Sequence, residues 1–245
     1  MVITSQSKPD RINGADSREL VVSGRDGMRE RPSSPSVKKP NVLDHAIAQH
    51  ALSVLRDQQT DSRQLRLFSN QLLTVLAFEA TRNVPMRELD VDAVGGTQRQ
   101  KTFGKSVVFV SLTRPGLGLS HGIADLIPNI CVGSITLDHS NNSHRVEPRL
   151  HLANAPTLSD SRVILFDPVV ASGVSVGIAL HLLRNSGATD LSLLSFVISS
   201  PGLKRIQSAT PDVVIWTAAI DEELDPKRGP LPGIGNLSER LYSGN

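Results

Sequence analysis

A carboxylate and a turn of small residues follow one another in the stretch VILFDPVVASGVSV, residues 163–176. Four apolar residues lead into Asp167, the small residues run from Ala171 to Ser175, and an apolar helical pattern begins there. The unpaired N–H groups at the start of a helix carry partial positive charge and bind phosphate. Serine hydroxyls in the turn would add donors, and Gly173 would let a ligand approach the backbone closely. The stretch predicts a phosphate cradle beside a carboxylate, although a plain strand–turn–helix connection has the same outline.

A cation follows a second buried strand. The run SVVFVSL, residues 106–112, leads into TRPGLG, which places Arg114 among glycines. Strands separated by helical patterns indicate βαβ units and a parallel sheet, in which the turns after the strands face one edge. Arg114 and Asp167 are therefore expected to face a common cleft. A cation, a carboxylate and a phosphate cradle together suit a phosphorylated sugar that carries an anionic leaving group.

The elements that must position these residues follow from the hydrophobic periodicity. Helical patterns begin near Val42 and Asp61, Ser200 is predicted to cap a short helix, and strands are expected at residues 106–112, 131–137, 163–166, 191–198 and 213–217. The polar stretch 138–154 alternates weakly and predicts a β-hairpin flap. Residues 84–94 have a mixed pattern that assigns no element. The predicted fold class is α/β, with an open, mostly parallel sheet flanked by helices.

Composition limits the domain organisation and the partners. The chain has 245 residues, a formal net charge of +2 at pH 7 and one cysteine. Residues 1–40 are rich in Ser, Arg, Gly and Pro, and they are predicted to form a disordered tail before one domain, residues 41–245. The balanced charge argues against a nucleic-acid partner, and no apolar run approaches the length of a membrane span. We therefore predict a cytoplasmic protein that binds neither nucleic acid nor membrane.

Four stretches resemble the uracil phosphoribosyltransferase family, which has the type I phosphoribosyltransferase fold. The family motif DPMLATGGS is similar to DPVVASGVS at residues 167–175, and LRAGLGM is similar to TRPGLGL at residues 113–119. HPDVDIYTAAID resembles TPDVVIWTAAID at residues 210–221, and PGLGDAGDR resembles PGIGNLSER at residues 232–240. The motifs occur in the family's order, and the resemblance runs from about Asn41 to Ser243.

The resemblance implies a pentosyltransferase that converts uracil and phosphoribosyl pyrophosphate to UMP and pyrophosphate. It also implies a homodimer, to which the flap contributes, and Mg²⁺ that is bound mainly through the donor, with no metal-ligating residue assigned. Arg114 would hold the pyrophosphate, and Asp167 would hold the ribose hydroxyls and offset positive charge at the anomeric carbon, so both are candidate catalytic residues. The candidate donor-binding residues are Arg114, His139, Asp167, Pro168, Val169, Val170, Ala171, Ser172, Gly173, Val174, Ser175 and Asn236. The candidate acceptor-binding residues are Pro230, Gly235, Asn236 and Leu237.

The chain departs from the family motifs at both ends of this site. His139 stands where the family has its second pyrophosphate-binding arginine, and a neutral imidazole lacks the bidentate fork of a guanidinium. Protonation of His139, or an arginine of the flap, would restore the charge; otherwise the affinity for pyrophosphate is weak. Asn236 and Leu237 replace Asp and Ala, and Pro230 lacks a backbone N–H. The acidic run 221–223 is interpreted as a solvated loop.

Three functions stay open on the sequence. The four motifs favour a uracil phosphoribosyltransferase of pyrimidine salvage. The changes at Asn236, Leu237 and Pro230 favour a phosphoribosyltransferase with a different acceptor in specialised metabolism. The changes at His139 and Asn236 are compatible with a non-catalytic regulator that binds phosphoribosyl compounds or nucleotides. Uracil-dependent release of pyrophosphate would distinguish the first function from the other two.

Overall fold

The computed structural model describes residues 37–112, 114–127, 130–139, 146–152 and 155–242, with the backbone alone at residues 114, 121, 138 and 139. The chain divides into two units, Met1–Ser34 and Pro35–Asn245, and every described residue belongs to the second. Residues 1–36 of the predicted disordered tail lie outside the described residues, so the boundary at residue 40 stays a prediction. Lys38, which stands just before that boundary, donates its N–H to the carbonyl of Pro211 at 3.0 Å.

Six α-helices, one short 3-10 helix at Leu158–Asp160 and twelve strands are formed by the described residues. The helices are α1 Ala46–Arg56, α2 Ser62–Thr81, α3 Arg114–Leu126, α4 Val174–Asn185, α5 Ser200–Ala209 and α6 Leu237–Tyr242. The strands are β1 Asn41–Val42, β2 Met86–Ala93, β3 Gly96–Phe103, β4 Ser106–Ser111, β5 Cys131–His139, β6 Val146–Leu152, β7 Ser161–Phe166, β8 Val169–Val170, β9 Asp190–Ser199, β10 Val214–Asp221, β11 Glu223–Asp225 and β12 Gly229–Leu231. In this part of the chain no helix is both long and apolar enough to cross a membrane.

One central sheet has the strand order β1-β10-β9-β7-β4-β5-β6, and the short β8 pairs with β9. All of these pairs are parallel except β5–β6, which is antiparallel. The predicted α/β class with a mostly parallel sheet is therefore confirmed. Of the predicted flap, residues 138–154, β6 pairs antiparallel with β5 at one edge of the sheet, so the flap's partner strand is the one predicted at residues 131–137. Because β4 and β7 are neighbours, with Ser111 opposite Phe166, the turns that follow them begin side by side. The start of α3 reaches the same edge, since the Cβ position of Gly116, two residues after Arg114, lies 3.5 Å from the carbonyl oxygen of Phe166, just before Asp167.

Helices cover both faces of the sheet, as apolar strands of a parallel sheet require. In β4, Val107 and Phe109 pack in the core beneath α1, α2, α3 and α6, whereas Val108 and Val110 pack beneath α4 and α5. This alternation is the period of two that a strand imposes on its side chains. On the first face Phe166 contacts the rings of Phe109 and Phe196, with centroids 5.5 and 5.4 Å away. The two layers of core hold β4, β7 and β9, the strands from which the site is built.

A second hairpin lies outside the central sheet. Strands β2 and β3 pair antiparallel from Met86 opposite Phe103 to Ala93 opposite Gly96, and they form a two-stranded sheet of their own. Three of their side chains are half-buried and the others are exposed. The sequence pattern did not assign this hairpin because only β2 has a short alternation, at Leu89, Val91 and Ala93, whereas β3 has no apolar residue before Phe103 and neither strand has a buried face.

Candidate active site

Asp167 follows β7 directly and lies at the carboxyl end of the sheet, with 6% of its surface exposed. Its N–H donates to the carbonyl of Leu194 at 3.1 Å. The carbonyl of Pro168 accepts from the N–H groups of Phe196 at 3.0 Å and Val197 at 3.2 Å. Strand β9 thereby fixes the backbone on both sides of the carboxylate. This is the edge at which open parallel sheets place their ligands.

The predicted phosphate cradle is the turn between β8 and α4. Gly173 is the N-cap of α4 and has a φ of +74°, in the left-handed region that favours glycine. Val174 is the first residue of the helix, so it keeps the N–H of the glycine that stands there in the family motif. Ser172 and Ser175 are exposed, and the Ser172 hydroxyl oxygen lies 3.5 Å from the N atom of Val174. The start of α4 therefore presents N–H and hydroxyl donors to an anion.

A contact that the sequence analysis missed holds this turn in place. The Ser199 hydroxyl donates to the carbonyl of Ala171 at 2.5 Å and accepts from the N–H of Gly202 at 3.0 Å. A Cβ atom on Gly202 would lie 2.3 Å from the Ala171 carbonyl oxygen, and one on Gly173 would lie 2.7 Å from the Gly202 carbonyl oxygen. The start of α5 thus packs backbone to backbone against the cradle. Ser199, and not the predicted Ser200, caps α5, because β9 continues one residue further than expected.

One cavity of about 420 Å³ joins donor-side and acceptor-side residues. The cavity, named here the Asp167 cavity, is lined on the donor side by Pro115, Asp167, Pro168, Val169 and Ala171. The lining on the acceptor side consists of Lys227, Arg228, Gly229, Pro230, Gly235, Asn236, Leu237 and Ser238. All four predicted acceptor-binding residues therefore share a cavity with the predicted catalytic carboxylate. Lys227 and Arg228 were not predicted, and no signal marked them, because a basic pair in a turn is usually only solvated.

The other predicted donor-binding residues have different positions. Val170 is 1% exposed and packs in the core beneath α4, so its side chain does not line the cavity. The segment 172–175 lies beyond Ala171, outside the cavity wall. Arg114 begins α3 and His139 ends β5. The side chains of Arg114 and His139 lie outside the described part of the structure, so their roles stay predictions.

An ion pair between distant parts of the chain fixes residues 230–240, which include the predicted acceptor-binding residues and are named the acceptor segment. The two carboxylate oxygens of Asp221 accept from the Arg56 guanidinium at 2.7 and 3.1 Å. One of them also accepts the N–H of Gly233 at 2.8 Å, while Arg56 donates to the carbonyl of Gly233 at 2.9 Å. The Asp221 side chain is 3% exposed, so the predicted solvated acidic loop is wrong at this residue. The prediction failed because β10 continues past Thr217 to Asp221 and because the partner is 165 residues away.

Arg240 anchors the other end of the acceptor segment. Its guanidinium donates to the carbonyls of Leu55 at 2.5 Å and Ile234 at 2.7 Å, and also to the carbonyl of Asp57. Partial burial lowers the pKa of Arg240 from its usual high value. Asn236, between these anchors, has its side-chain oxygen 3.4 Å from the N atom of Glu239 at the start of α6. The acceptor segment is therefore attached to α1 at both of its ends.

The charges around the Asp167 cavity are unevenly distributed. Asp167 is the carboxylate among the described lining residues, whereas Lys227 and Arg228 are cationic and Asn236 is neutral. Among the described residues, no three His, Cys, Asp or Glu side chains cluster closely enough to hold a metal ion. The cavity therefore presents one negative group on the donor side and two positive groups on the acceptor side.

Comparisons with known proteins agree with this arrangement. Residues 42–244 match the family described as uracil phosphoribosyltransferase. A uracil phosphoribosyltransferase of Pediococcus pentosaceus is 33% identical over 206 residues, which cover 83% of this chain and 98% of that protein. A uracil phosphoribosyltransferase of Thermosipho africanus is 34% identical over 210 residues, which cover 83% of this chain and 98% of that protein. The solved AQ2163 protein of Aquifex aeolicus is similar with a TM-score of 0.74 and 26% identity, covering 84% of this chain and 98% of that one.

Proposed function

This chain belongs to the uracil phosphoribosyltransferase family, and from that premise we propose that it makes UMP and pyrophosphate from uracil and phosphoribosyl pyrophosphate in pyrimidine salvage. It has the type I phosphoribosyltransferase fold, an open and mostly parallel sheet between two layers of helices. The observation that carries the proposal is the Asp167 cavity, which is lined by the predicted catalytic carboxylate and by the four predicted acceptor residues.

The transfer makes one bond at the anomeric carbon of the donor and breaks another. A ring nitrogen of uracil bonds to this carbon, the bond to pyrophosphate breaks with its electron pair on the leaving oxygen, and the ring proton passes to solvent. Positive charge builds up on the ribose as the leaving group departs. A buried carboxylate beside the ribose stabilises that charge more strongly than it does the neutral ground state, which is the condition for catalysis. We assign this role to Asp167.

The donor's two anionic ends would be held on either side of that carboxylate. The N–H groups at the start of α4, with Ser172 and Ser175, would bind the phosphate of the phosphoribosyl group. Arg114 and His139 follow β4 and end β5, so they would meet the pyrophosphate at the neighbouring edge. Asn236 would hydrogen-bond the donor without adding charge.

Magnesium would enter with the donor. The described residues include no cluster of carboxylates or imidazoles that could form a metal cage, and Mg²⁺ commonly binds through substrate phosphates with few protein ligands. These residues fit an ion held by the pyrophosphate oxygens, where it would neutralise charge on the leaving group. Asp167 and the donors of the cradle would then orient the phosphoribosyl group.

A second candidate function is supported by one feature of the cavity. Pro230 lies in the acceptor wall and has no N–H, so the backbone cannot donate a hydrogen bond to a base there. This favours a phosphoribosyltransferase with an acceptor other than uracil. The two candidates share the donor site and differ in the acceptor.

A homodimer and a cytoplasmic location belong to the same proposal. Strands β2 and β3 form an exposed hairpin, and isolated two-stranded hairpins are only marginally stable in water, which supports a covering partner such as a second copy of the chain. Sedimentation equilibrium of the purified protein tests the dimer, and cell fractionation tests the location.

Pyrophosphate release with and without uracil tests the function directly. We expect uracil-dependent release in the presence of magnesium and donor, and Asp167→Asn should lower kcat on the order of 10²-fold or more, because charge at the anomeric carbon then lacks its carboxylate. Asp160→Asn removes one exposed carboxylate elsewhere and is the matched control. Release from another base alone would favour the second candidate. Donor binding in a thermal shift without any release would point to a regulator.

A further inference from the structure

Two cations on the acceptor side of the Asp167 cavity have no task in the proposed reaction. Lys227 and Arg228 form the turn between β11 and β12, and both are exposed. Within the described part of the chain, neither side chain makes a hydrogen bond or an ion pair. Charged side chains in such a turn are often only solvated, but both of these line the cavity that contains Asp167.

The turn that carries them is well defined. One carboxylate oxygen of Asp225 accepts the N–H groups of Lys227 and Arg228, each at 2.8 Å. The flanking strands pair in register, with Leu224 opposite Pro230 and Asp225 opposite Gly229. The backbone of the two cationic residues is therefore fixed next to Pro230, while their side chains remain available to a ligand.

The positive charge of this turn is balanced only in part, because one carboxylate, that of Asp225, stands beside two cations. Hydrogen bonds from the backbone N–H groups of Arg228 and Lys227, together with the Arg228 charge, hold the pKa of Asp225 below its ordinary value. A second cavity, of about 710 Å³, shares these two residues with the Asp167 cavity and is also lined by Arg56 and Arg240. Arg56 is neutralised by Asp221, and the Arg240 guanidinium donates to backbone carbonyls. Lys227 and Arg228, which together carry one positive charge more than Asp225 offsets, are thus the cations left for a ligand at this end. A surface of one sign next to an apolar wall attracts a group of the opposite charge.

We propose that, besides uracil, the acceptor side takes a pyrimidine base that carries a carboxylate, and that Lys227 and Arg228 bind this carboxylate. The proposal rests on the proposed function, because it uses the same donor site and the same transfer. Pro230 removes a backbone donor from the acceptor wall, and the cationic pair supplies charge-assisted hydrogen bonds in its place. Asn236, which is neutral where the family motif has Asp, does not repel the carboxylate.

The chemical step is the same for both acceptors. The lone pair of a ring nitrogen forms a bond to the anomeric carbon, and the carbon–oxygen bond to pyrophosphate breaks with its electrons on the leaving oxygen. The ring proton passes to solvent, and the carboxylate keeps its charge throughout. The products are the carboxylated nucleotide and pyrophosphate.

The test compares kcat/KM for uracil with kcat/KM for uracil-5-carboxylate and for uracil-6-carboxylate. The wild-type protein should use at least one of these carboxylated bases. In the double variant Lys227→Gln/Arg228→Gln, the ratio of kcat/KM for that base to kcat/KM for uracil should fall about tenfold or more, because charge-assisted hydrogen bonds are lost only from the anionic acceptor. The ratio separates acceptor recognition from any general loss of folding or donor binding.

Lys38→Gln/Lys39→Gln is the matched control, because it removes two adjacent exposed cations near Pro211, before β10 and away from the cavity. Its ratio should equal that of the wild type. Release with uracil but with neither carboxylated base would overturn the proposal and leave the proposed function intact. If the double variant lost kcat/KM equally for uracil and for the carboxylated base, the cationic pair would act on the donor, and the proposal would also be overturned. No release with any acceptor would reject the proposed function itself.

Discussion

At the scale of single residues, the turn that we propose as a phosphate cradle depends on two glycines whose Cα hydrogens face backbone atoms. Gly173 combines a φ of +74° with a Cβ position only 2.7 Å from the Gly202 carbonyl oxygen. Any side chain there meets both backbone strain and a collision with a backbone atom, which cannot rotate away. The position therefore admits glycine alone without displacing either the start of α4 or the start of α5.

Gly173→Ala should raise KM for phosphoribosyl pyrophosphate about tenfold or more, because the shifted turn no longer aims its N–H groups at the donor phosphate. The measurement is initial-rate kinetics at varied donor concentration. Gly187→Ala is the control, since Gly187 has a φ of +98° with open space around its Cβ position and lies past the other end of α4. Both variants carry strain of about 1 kcal/mol, but only the first should change KM. Equal donor KM values in the two variants would contradict this account of the cradle.

Some residues of the candidate site could be predicted from the sequence alone, and others could not. Asp167 and Gly173 were predicted from a strand, a turn and a helix start within a dozen positions, where local rules apply. Ser199 and Arg56 were missed because their partners, Ala171 and Asp221, are 28 and 165 residues away. Local periodicity contains no information about which distant side chain will meet a given carboxylate.

At the scale of elements, the acceptor segment is positioned by contacts with the end of α1 and the end of β10. The Arg56–Asp221 pair ends one helix and one strand, and both partners contact Gly233. Removing the Asp221 carboxylate would leave the largely buried Arg56 guanidinium without its counter-charge. The position of the acceptor wall is thus a property of how α1 packs on β10.

Asp221→Asn should destabilise the protein by about 2–3 kcal/mol, at the low end for a broken buried pair, because Arg56 keeps some contact with water. It should also raise KM for the acceptor several-fold while KM for the donor changes little. Urea denaturation and initial-rate kinetics give the two readouts. Asp212→Asn breaks the more exposed Arg184–Asp212 pair and should cost about 1 kcal/mol or less without changing KM. A large loss of stability with an unchanged acceptor KM would mean that the pair is only structural.

The sequence predicted some strands correctly, missed others and made one too short. β4, β7 and β9 were predicted because they are buried on both faces and appear as short apolar runs. The hairpin of β2 and β3 was not predicted, since exposed strands such as GTQRQKTF carry no burial pattern. β10 was predicted too short because Ala218 and Ala219, which follow Thr217, have a low propensity for strands and interrupt the β-branched run.

At the scale of the whole molecule, the two ends of the sheet have separate tasks. The carboxyl end carries the site, and the opposite end carries a charged cluster in which Asp190 lies 2.8 Å from the Arg162 guanidinium and 3.2 Å from the Lys105 ammonium. Partial burial alone would raise the pKa of Asp190, but hydrogen bonds from Arg162 and Lys105 outweigh it and leave the pKa below its ordinary value. This cluster joins the starts of β4, β7 and β9 and does not reach the cavity.

A lowered folded-state pKa means that Asp190 stabilises the fold above its unfolded-state pKa, near 3.8, and loses this contribution as the pH falls through the folded-state value. We expect the free energy of unfolding of Asp190→Asn to lie below that of the wild type at pH 7, with the gap closing as the pH falls below about 3.8. Urea denaturation across this range measures the gap. Asp160→Asn should show no such closure, and kcat/KM at pH 7 should be unchanged in Asp190→Asn. A gap that stays constant with pH would reject the linkage.

The attachment of the acceptor segment to α1 has a consequence for how the chain acquires its site during synthesis. Arg56 and Leu55 are among the early residues of the domain, whereas Asp221 and Arg240 leave the ribosome about 165 to 185 residues later. The carboxylate and the cradle, between residues 167 and 202, emerge before either anchor of the acceptor segment. A nascent chain therefore has the parts of the proposed sugar-phosphate site first, and the proposed wall for the base forms only when the late anchors contact a helix that was synthesised long before. The distance along the chain makes this closure one of the slower contacts to form.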